Sequence, residues 1–471
     1  MPRPKTTARL AGTERAVMSR NQIAALFLAA VLIRLAYVGV VVLLDGSFDN
    51  GSDSGKYLIR ASNLLQYGAI VYWDHGVLIP DTARMPLYPY FLAGVLGAIG
   101  EDALWAVAVL QAFIDAATVI AVGLIAGLID RRWAVPAAAL ACVWTTMVVY
   151  SSFVLTDTLF LAFFAWGLCA CLWAVRSQRK VVLLIAAGAC FGLAVLTRPI
   201  LIFFPYLLMP ALACMLWAAA GLGWRRAIGL AAIPALLLAA ALMPRLGMTY
   251  AHYGAPVVTT QTGNQALDVV DQFLRLCPQC VAERREQGMH AKVAALLDQE
   301  DAADRRNPLV LDRIRREVAF EYLKELPPLV VLRGVLTAVL RSTLQTGLYE
   351  AGYQLNRNPM FFSAAPGASL AARIWNFAKA VLGDGYLFAW ALAQAAVLIG
   401  FALQLGGVVA GVRDPGARPF VMFLMAVAAY FLALNGPFGN PRYGMPLAPT
   451  LVVLTVAGGF LVWRRLANRR I

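Results

Sequence analysis

The sequence predicts an all-α integral membrane protein, a bundle of about ten transmembrane helices and at most about twelve. Three observations lead there. Hydrophobic residues fill 61% of the 471 positions, and the mean hydropathy is +0.69. A water-soluble domain of that composition would expose large apolar patches and aggregate. The apolar residues also fall into long runs, at 22–44, 103–129, 133–152, 158–175, 181–196, 200–220, 227–243, 385–412, 419–436 and 447–463. Each is about long enough for a helix to cross a bilayer core of ~30 Å, where the backbone must satisfy its own hydrogen bonds. The third observation is the placement of charge. The formal charge of +14 gathers in short connectors: Arg3, Lys5, Arg9, Arg15 and Arg20, then Arg131 and Arg132, Arg176 with Arg179 and Lys180, Arg225 and Arg226, Arg413 with Arg418, and the stretch from Arg464 to Arg470. That is the positive-inside pattern, which places both termini in the cytoplasm and argues against nucleic acid as the partner of these cations.

Each element follows from that frame. Residues 1–21 are polar and basic, and the run after them has no small-residue cleavage site, so it reads as a retained anchor. The apolar stretch 86–98 would cover only about 20 Å as a helix. Were it to cross, Arg131 and Arg132 would land outside and every later basic connector would be inverted. It is therefore expected to lie on the outer membrane surface, which makes 45–102 one long outer loop. Stretches 326–346 and 361–382 are mixed, and the first contains Arg333 and Arg341. An arginine at bilayer depth costs about 2.5–3.5 kcal/mol on insertion scales, which favours ten spans over the twelve that result if both cross. The expected organisation is a basic cytoplasmic segment (1–21), an N-terminal membrane module (22–244), a large outer loop region with interfacial helices (245–383) and a C-terminal membrane module (384–471).

Within the first outer loop, Ser52 and Ser54 flank Asp53 and suit the start of a helix that runs to about Tyr67 and ends at Gly68. Tyr57, Ala61, Leu64 and Leu65 share one face of it, as in an amphipathic helix lying on the bilayer. Interfacial aromatics Tyr72 and Trp73, with His75, precede Arg84-Met85-Pro86-Leu87-Tyr88-Pro89. In the large loop the charges nearly balance, and Leu311, Ile314 and Val318 mark an amphipathic helix after Asn307-Pro308. Prolines and glycines in 437–446 force the backbone to bend at the membrane edge. Cys142, Cys169, Cys171, Cys190 and Cys214 lie in spans and read as packing residues. Cys277 and Cys280, in a Cys-Pro-Gln-Cys stretch on the oxidising side, suit a local disulfide, with free thiols as the alternative; a zinc site lacks a second ligand pair.

Topology collects Asp53, Arg84, Asp157, Arg198 and Arg442-Tyr443 on the outer side. Each has a plain alternative: a span-edge arginine as a snorkelling anchor, an acid before a helix as a cap. Five on one face, beside proline-rich turns, point instead to chemistry. A carboxylate can act as general base toward a hydroxyl, and arginines can hold a phosphate through paired N–H groups and stabilise charge on a leaving phosphate. Arg34 lies mid-span and needs a partner that the sequence does not name. No strand followed by a glycine-rich turn supports a nucleotide-sugar site; Gly94, Gly97 and Gly100 read as a helix-packing face.

The segment from Ser52-Asp53-Ser54-Gly55-Lys56-Tyr57 to Gly68, and then Arg84 to Pro89, resembles the first outer loop of GT-C glycosyltransferases. The likeness is to the branch of protein O-mannosyltransferases and lipid A aminoarabinose transferases. Leu155-Thr156-Asp157-Thr158-Leu159-Phe160, Leu196-Thr197-Arg198-Pro199 and the stretch from Asn440 to Pro446 resemble further landmarks of that branch, in the same order. The resemblance implies a GT-C bundle in a bacterial inner membrane, with its site on the periplasmic face. It implies inverting transfer of a sugar from a polyprenyl-phosphate carrier to an acceptor hydroxyl of a lipid, glycan or protein. Asp53 is then the catalytic base and Asp157 a second catalytic acid that positions the acceptor or the loop. Arg84, Arg198, Arg442, Tyr443 and Tyr57 contact the donor phosphate or sugar. Asp49 competes with Asp53 but lacks Tyr57 at the family spacing. No tightly held metal is implied, and the sparse outer histidines (His75, His252, His290) agree, while an acid-bound divalent cation stays open. A lipid-linked sugar flippase or transporter is the reading from another class, though no internal repeat supports it. A ligase using a pyrophosphate-linked donor is the other enzyme reading. The large loop is expected to shape acceptor choice.

Overall fold

The structure is a computed structural model that describes residues 16–49, 53–74, 76–277, 286–344, 346–355, 369, 375, 379–435 and 439–468. The chain begins with α1 (Arg20–Leu43), α2 (Asp53–Tyr67), a hairpin of β1 (Val71–Asp74) and β2 (Val77–Pro80), α3 (Leu87–Ile99) and α4 (Leu104–Ile129). Next come α5 (Ala134–Cys142), α6 (Thr145–Ser152), α7 (Asp157–Arg176), α8 (Lys180–Thr197), α9 (Phe204–Ala220) and α10 (Trp224–Tyr253). The large loop contributes α11 (Thr262–Arg275), α12 (Glu286–Leu297), α13 (Ala302–Arg305), α14 (Pro308–Lys324), α15 (Pro328–Leu344) and α16 (Leu348–Gln354). The chain closes with α17 (Gly385–Arg413), α18 (Arg418–Leu434), α19 (Pro441–Gly444) and α20 (Ala448–Asn468).

All ten apolar runs are helical. Seven fall in segments long and apolar enough to cross a membrane, the last of them being Pro441–Asn468. The run at 133–152 is a bent pair, Arg131–Cys142 with Thr145–Ser152, folded by 49°. The remaining two are the shorter apolar helices α9 and α18, each of 17 residues. A second bent pair, α15 with α16, turns by 72°, and counting each bent pair as one span raises the count by length and composition from seven to nine among the described residues. It falls in the stretch expected to stay out of the membrane. The other mixed stretch, 361–382, lies mostly outside the described residues, as do Ser52, His75 and the first 15 residues.

Helices α4 and α7 form the centre, with 78% of their apolar windows buried, whereas α17 has only 17% buried and lies at the edge. Leu32, Leu236 and Ile399 are each more than half exposed, and such apolar faces require lipid around them. Close approach lets α17 and α20 touch backbone to backbone. A Cβ at Gly458 would collide with the Leu403 carbonyl, and one at Gly407 with that of Leu454.

In the first loop, α2 ends at Gly68, whose φ of 69° is the left-handed cap expected there. The helix does not lie alone on a surface. Tyr57 and Ala61 are buried against Tyr88, Leu92 and Leu96 of α3, while Leu65 stays exposed. Among the three spaced glycines only Gly97 meets a neighbour, the Leu65 side chain; Gly94 faces open space and Gly100 ends α3 with φ 135°. The hairpin, not foreseen from sequence, pairs Val71 with Pro80 and is tied to α2 by Asn63 Nδ2 donating to the Val71 carbonyl at 2.8 Å. In the large loop, Leu267, Val270 and Phe273 of α11 form a separate small core with Ile314 and Val318 of α14.

The mid-span arginine has its partner. Arg34 donates through Nε to Asp115 of α4 at 2.6 Å, and both side chains are fully buried. Its other nitrogens donate to the carbonyls of Cys142 at 2.9 Å and Ala141 at 3.4 Å. Those carbonyls lie at the C-terminal end of α5, where the regular helix stops at the bend and Ala141 also accepts from the Trp144 N–H at 3.3 Å. One guanidinium thus serves one oxygen of a buried acid and the end of a broken helix, while Asp115 Oδ1 is buried without a hydrogen bond.

The ends of the bundle differ in charge. At the C-terminal end of α7, Arg176 stacks on Phe420 at 5.4 Å and donates to the Ile129 carbonyl, and Met18 packs nearby against Ile120 and Ala134. Asp157 begins the same helix, about 30 Å away by helical rise. Basic connectors and the residues singled out for chemistry therefore occupy opposite ends. We expect Arg34→Met to cost about 3–5 kcal/mol of stability by leaving Asp115 buried and unpaired, and Arg34→Met with Asp115→Leu to cost less than Arg34→Met alone. Thermal unfolding in detergent through a double-mutant cycle checks this; additive losses would dismiss the coupling.

Candidate active site

The loop bearing Arg84 is held by an unusually complete set of bonds. Asp81 leaves β2 fully buried, and its carboxylate accepts from the backbone N–H of Ala83 at 3.0 Å and Arg84 at 3.2 Å. Such a turn is what an aspartate offers just after a strand. Arg60 of α2 grips the same carboxylate with two nitrogens, at 2.5 and 3.0 Å. From α10, Arg245 donates to the carbonyls of Asp81 at 2.6 Å, Arg84 at 3.2 Å and Val258 at 3.1 Å. Thr259 Oγ1 donates to the Ala83 carbonyl at 2.9 Å. With its backbone fixed, Arg84 reaches Asp53 at the start of α2 through Nη2 at 2.9 Å, its guanidinium 5.3 Å from the Tyr57 ring centre.

The second acid begins α7. Asp157 is buried, and one of its oxygens is paired with Arg198, which follows the last residue of α8 in extended conformation. Pro199 starts the next turn and prevents α8 from continuing, so Arg198 leaves the helix toward the site. The third arginine comes from α19. Asn440 caps this short turn by accepting from the Arg442 N–H at 2.8 Å. Arg442 then bridges both acids, through Nε to Asp157 at 2.8 Å and through Nη1 to Asp53 at 2.6 Å.

All five residues singled out by topology thus meet in one chain of contacts, Arg84–Asp53–Arg442–Asp157–Arg198. They line or back a cleft whose walls also include Tyr57, Tyr443, Gln261 and Gln265. Tyr443 is held by Asn435 Nδ2, which donates to its carbonyl at 2.9 Å. Asp49 is not among the lining residues. Sequence reasoning missed Asp115, Arg60, Asp81 and Arg245, and it missed the two glutamines. Pro80-Asp81 before a turn was a usable signal; the glutamines offered none beyond their spacing of four. Cys277 is disulfide-bonded, and its expected partner Cys280 lies outside the described residues. No cluster of three or more metal-ligating side chains occurs among the described residues, and a cation at Asp53 or Asp157 would compete with Arg442.

Burial pushes the Asp53 carboxyl up, but the charges of Arg442 and Arg84 and the Arg442 hydrogen bond outweigh it and hold the group well below the usual carboxylate range. Asp53 is therefore ionised at neutral pH. Its folded value lies below its unfolded one, so the stability it contributes is full above about pH 4 and is lost as pH falls through the folded value. Removing Arg442 takes away the largest favourable charge. We expect Arg442→Ala to lower stability by about 3 kcal/mol and to begin its acid-side loss at higher pH than the unmodified chain, read as Tm against pH. Identical pH profiles would mean that Arg442 does not set the charge state of Asp53.

Residues 81–253 match the family profile for dolichyl-phosphate-mannose-protein mannosyltransferase. Among curated proteins, none matches the chain by sequence. The apo oligosaccharyltransferase of Archaeoglobus fulgidus is similar with a TM-score of 0.52 and 17% identity, over 96% of this chain and 52% of that one. Its form tethered to an acceptor peptide gives 0.51 and 17%, over 96% and 51%. ArnT from Cupriavidus metallidurans, bound to undecaprenyl phosphate, is similar over 94% of this chain and 78% of its own, at 14% identity and a TM-score of 0.39. The chain spans about half the length of the archaeal enzyme it matches. At these identities the likeness shows the architecture: this is an all-α membrane chain with the GT-C fold.

Proposed function

We propose that the chain is a membrane glycosyltransferase that moves a sugar from a polyprenyl-phosphate carrier to an acceptor hydroxyl. The observation that carries this reading is the bridge of Arg442 between Asp53 and Asp157, with Arg84 and Arg198 at either end. Three guanidiniums around two carboxylates in one cleft suit a phosphate that must be held and then released as a leaving group. The matching family profile, whose description names a dolichyl-phosphate-mannose donor, supports the same donor class. On this reading the basic end and both termini are cytoplasmic and the cleft faces the outer side, an orientation that the positive-inside pattern of the connectors supports.

In the proposed reaction, the acceptor oxygen attacks the anomeric carbon from the side opposite the phosphate. The new C–O bond forms as the bond to phosphate oxygen breaks, with inversion, and the polyprenyl phosphate departs with the electron pair. Asp53 takes the acceptor proton. Paired with two arginines, it is a weak base. The donor phosphate therefore does more than depart, because by drawing Arg84 and Arg442 toward itself it frees a carboxylate oxygen for that proton. Asp157, buried beneath Arg442, positions the guanidinium and does not touch the acceptor. A flippase would use these charges without making or breaking a bond.

Transfer from radiolabelled polyprenyl-phosphate sugars in membranes separates these readings. We expect Asp53→Asn to lower the rate by about 10²–10⁴-fold at unchanged protein level. Arg84→Ala should raise the donor KM by about tenfold or more, with partial recovery in Arg84→Lys. Undiminished transfer by Asp53→Asn would remove it as the base, and label that changes leaflet without changing carrier would favour the flippase.

A further inference from the structure

Two walls of the cleft belong to neither the carboxylates nor the arginines. Gln261 and Gln265 stand one helical turn apart at the beginning of α11 and both line the cleft. Their position is built. Asp312 of α14 accepts from Thr262 Oγ1 and from the Gly263 N–H, each at 2.6 Å, and so caps α11 from the side. A Cβ at Gly263 would collide with the Asp312 carbonyl, so the two helices meet closely there. Ahead of the glutamines, the Thr259 hydroxyl accepts from the Gln261 N–H at 3.2 Å while donating to Ala83, and the Thr260 N–H donates to the Thr82 carbonyl at 3.0 Å. The segment presenting the amides is thus stitched to the loop that presents Arg84.

We infer that the donor sugar is neutral and polyhydroxylated, and that Gln261 and Gln265 read its hydroxyls. This rests on the transferase reading of the cleft. A primary amide offers a donor and an acceptor together, which complements a hydroxyl that does both, and it carries no charge. The charged groups of the site comprise three arginines, Lys56 with its Nζ 3.7 Å from Asp53, and two aspartates, a surplus of two positive charges before the phosphate enters. An ammonium on the sugar meets that surplus, with both carboxylates already engaged by guanidiniums. A sugar carboxylate instead competes with the phosphate for the same arginines. A neutral ring does neither and leaves the amides as its natural partners.

Binding to the purified full-length chain in detergent tests this, with four short-chain probes and no acceptor present: bare polyprenyl phosphate, its mannosyl and glucosyl conjugates, and a 4-amino-4-deoxypentosyl conjugate. We expect a neutral sugar to improve affinity about tenfold over the bare lipid phosphate, and the amino sugar to give no gain. In Gln261→Ala with Gln265→Ala the ratio of neutral-sugar to bare-lipid affinity should fall toward one. Gln265→Glu should shift preference toward the amino sugar, a gain that a misfolded variant cannot show. Tighter binding of the amino sugar by the unmodified chain, or ratios untouched by either variant, would overturn the inference while leaving the transferase reading in place. Failure of every lipid phosphate to bind would overturn both.

Discussion

The arrangement depends most on one guanidinium. Arg442 joins Asp53 and Asp157, which stand on α2 and α7 and would otherwise repel one another across a partly dry cleft. It arrives from 389 positions along the chain, so the site closes only when the last helical segment docks. That docking is itself supported. Tyr150 of α6 donates to the side-chain oxygen of Asn440 at 3.3 Å, and Gly444 fits against the Ser342 carbonyl of α15, where any side chain would clash. The large loop therefore buttresses the turn that carries Arg442.

A second constraint runs through the fold. An apolar bundle tolerates interruptions of its helices only where something else satisfies the freed backbone groups. Long polar side chains do this at two breaks between helices, and a third does the same for the irregular loop between β2 and α3. Arg34 takes the carbonyls at the bend between α5 and α6. Gln111 of α4 donates to the carbonyls of Ser151 at 3.0 Å and Phe153 at 2.7 Å, where α6 gives way to α7, and itself accepts from the Tyr88 hydroxyl at 2.9 Å. Arg245 takes those of the Arg84 loop. Two of these three irregular segments lead directly into residues of the cleft, Asp157 and Arg84. Irregular backbone is what turns these side chains toward one another, and the buried donors are what make the irregularity tolerable.

The interlocked charges also bear on the proposed chemistry. A cleft already full of mutual ion pairs stays stable when empty and yields its guanidiniums only to a strong anion. On the proposed reading, a lipid phosphate fits that requirement, and its arrival changes the basicity of Asp53 at the moment a base is needed. The neutral amides of α11 stand apart from this exchange, which suits them to reading a ring that carries no charge.

Much of this was legible in the sequence because the signals are local. Apolar runs of about 20 residues specify membrane helices, connector charge specifies which ends face alike, and Gly68 and Pro199 stop helices by their own backbone limits. Those features alone brought Asp53, Arg84, Asp157, Arg198 and Arg442 to one side of the bundle. They did not say that Arg442 touches both acids, that Arg34 is answered by Asp115 81 positions away, that Arg245 clamps the Arg84 loop, or that Gln261 and Gln265 face the cleft. Spacing of 3.6 residues per turn tells which side chains share a face of one helix, but not which helix that face will meet. A buried arginine announces that it needs a partner; only packing of the whole bundle decides which one it finds.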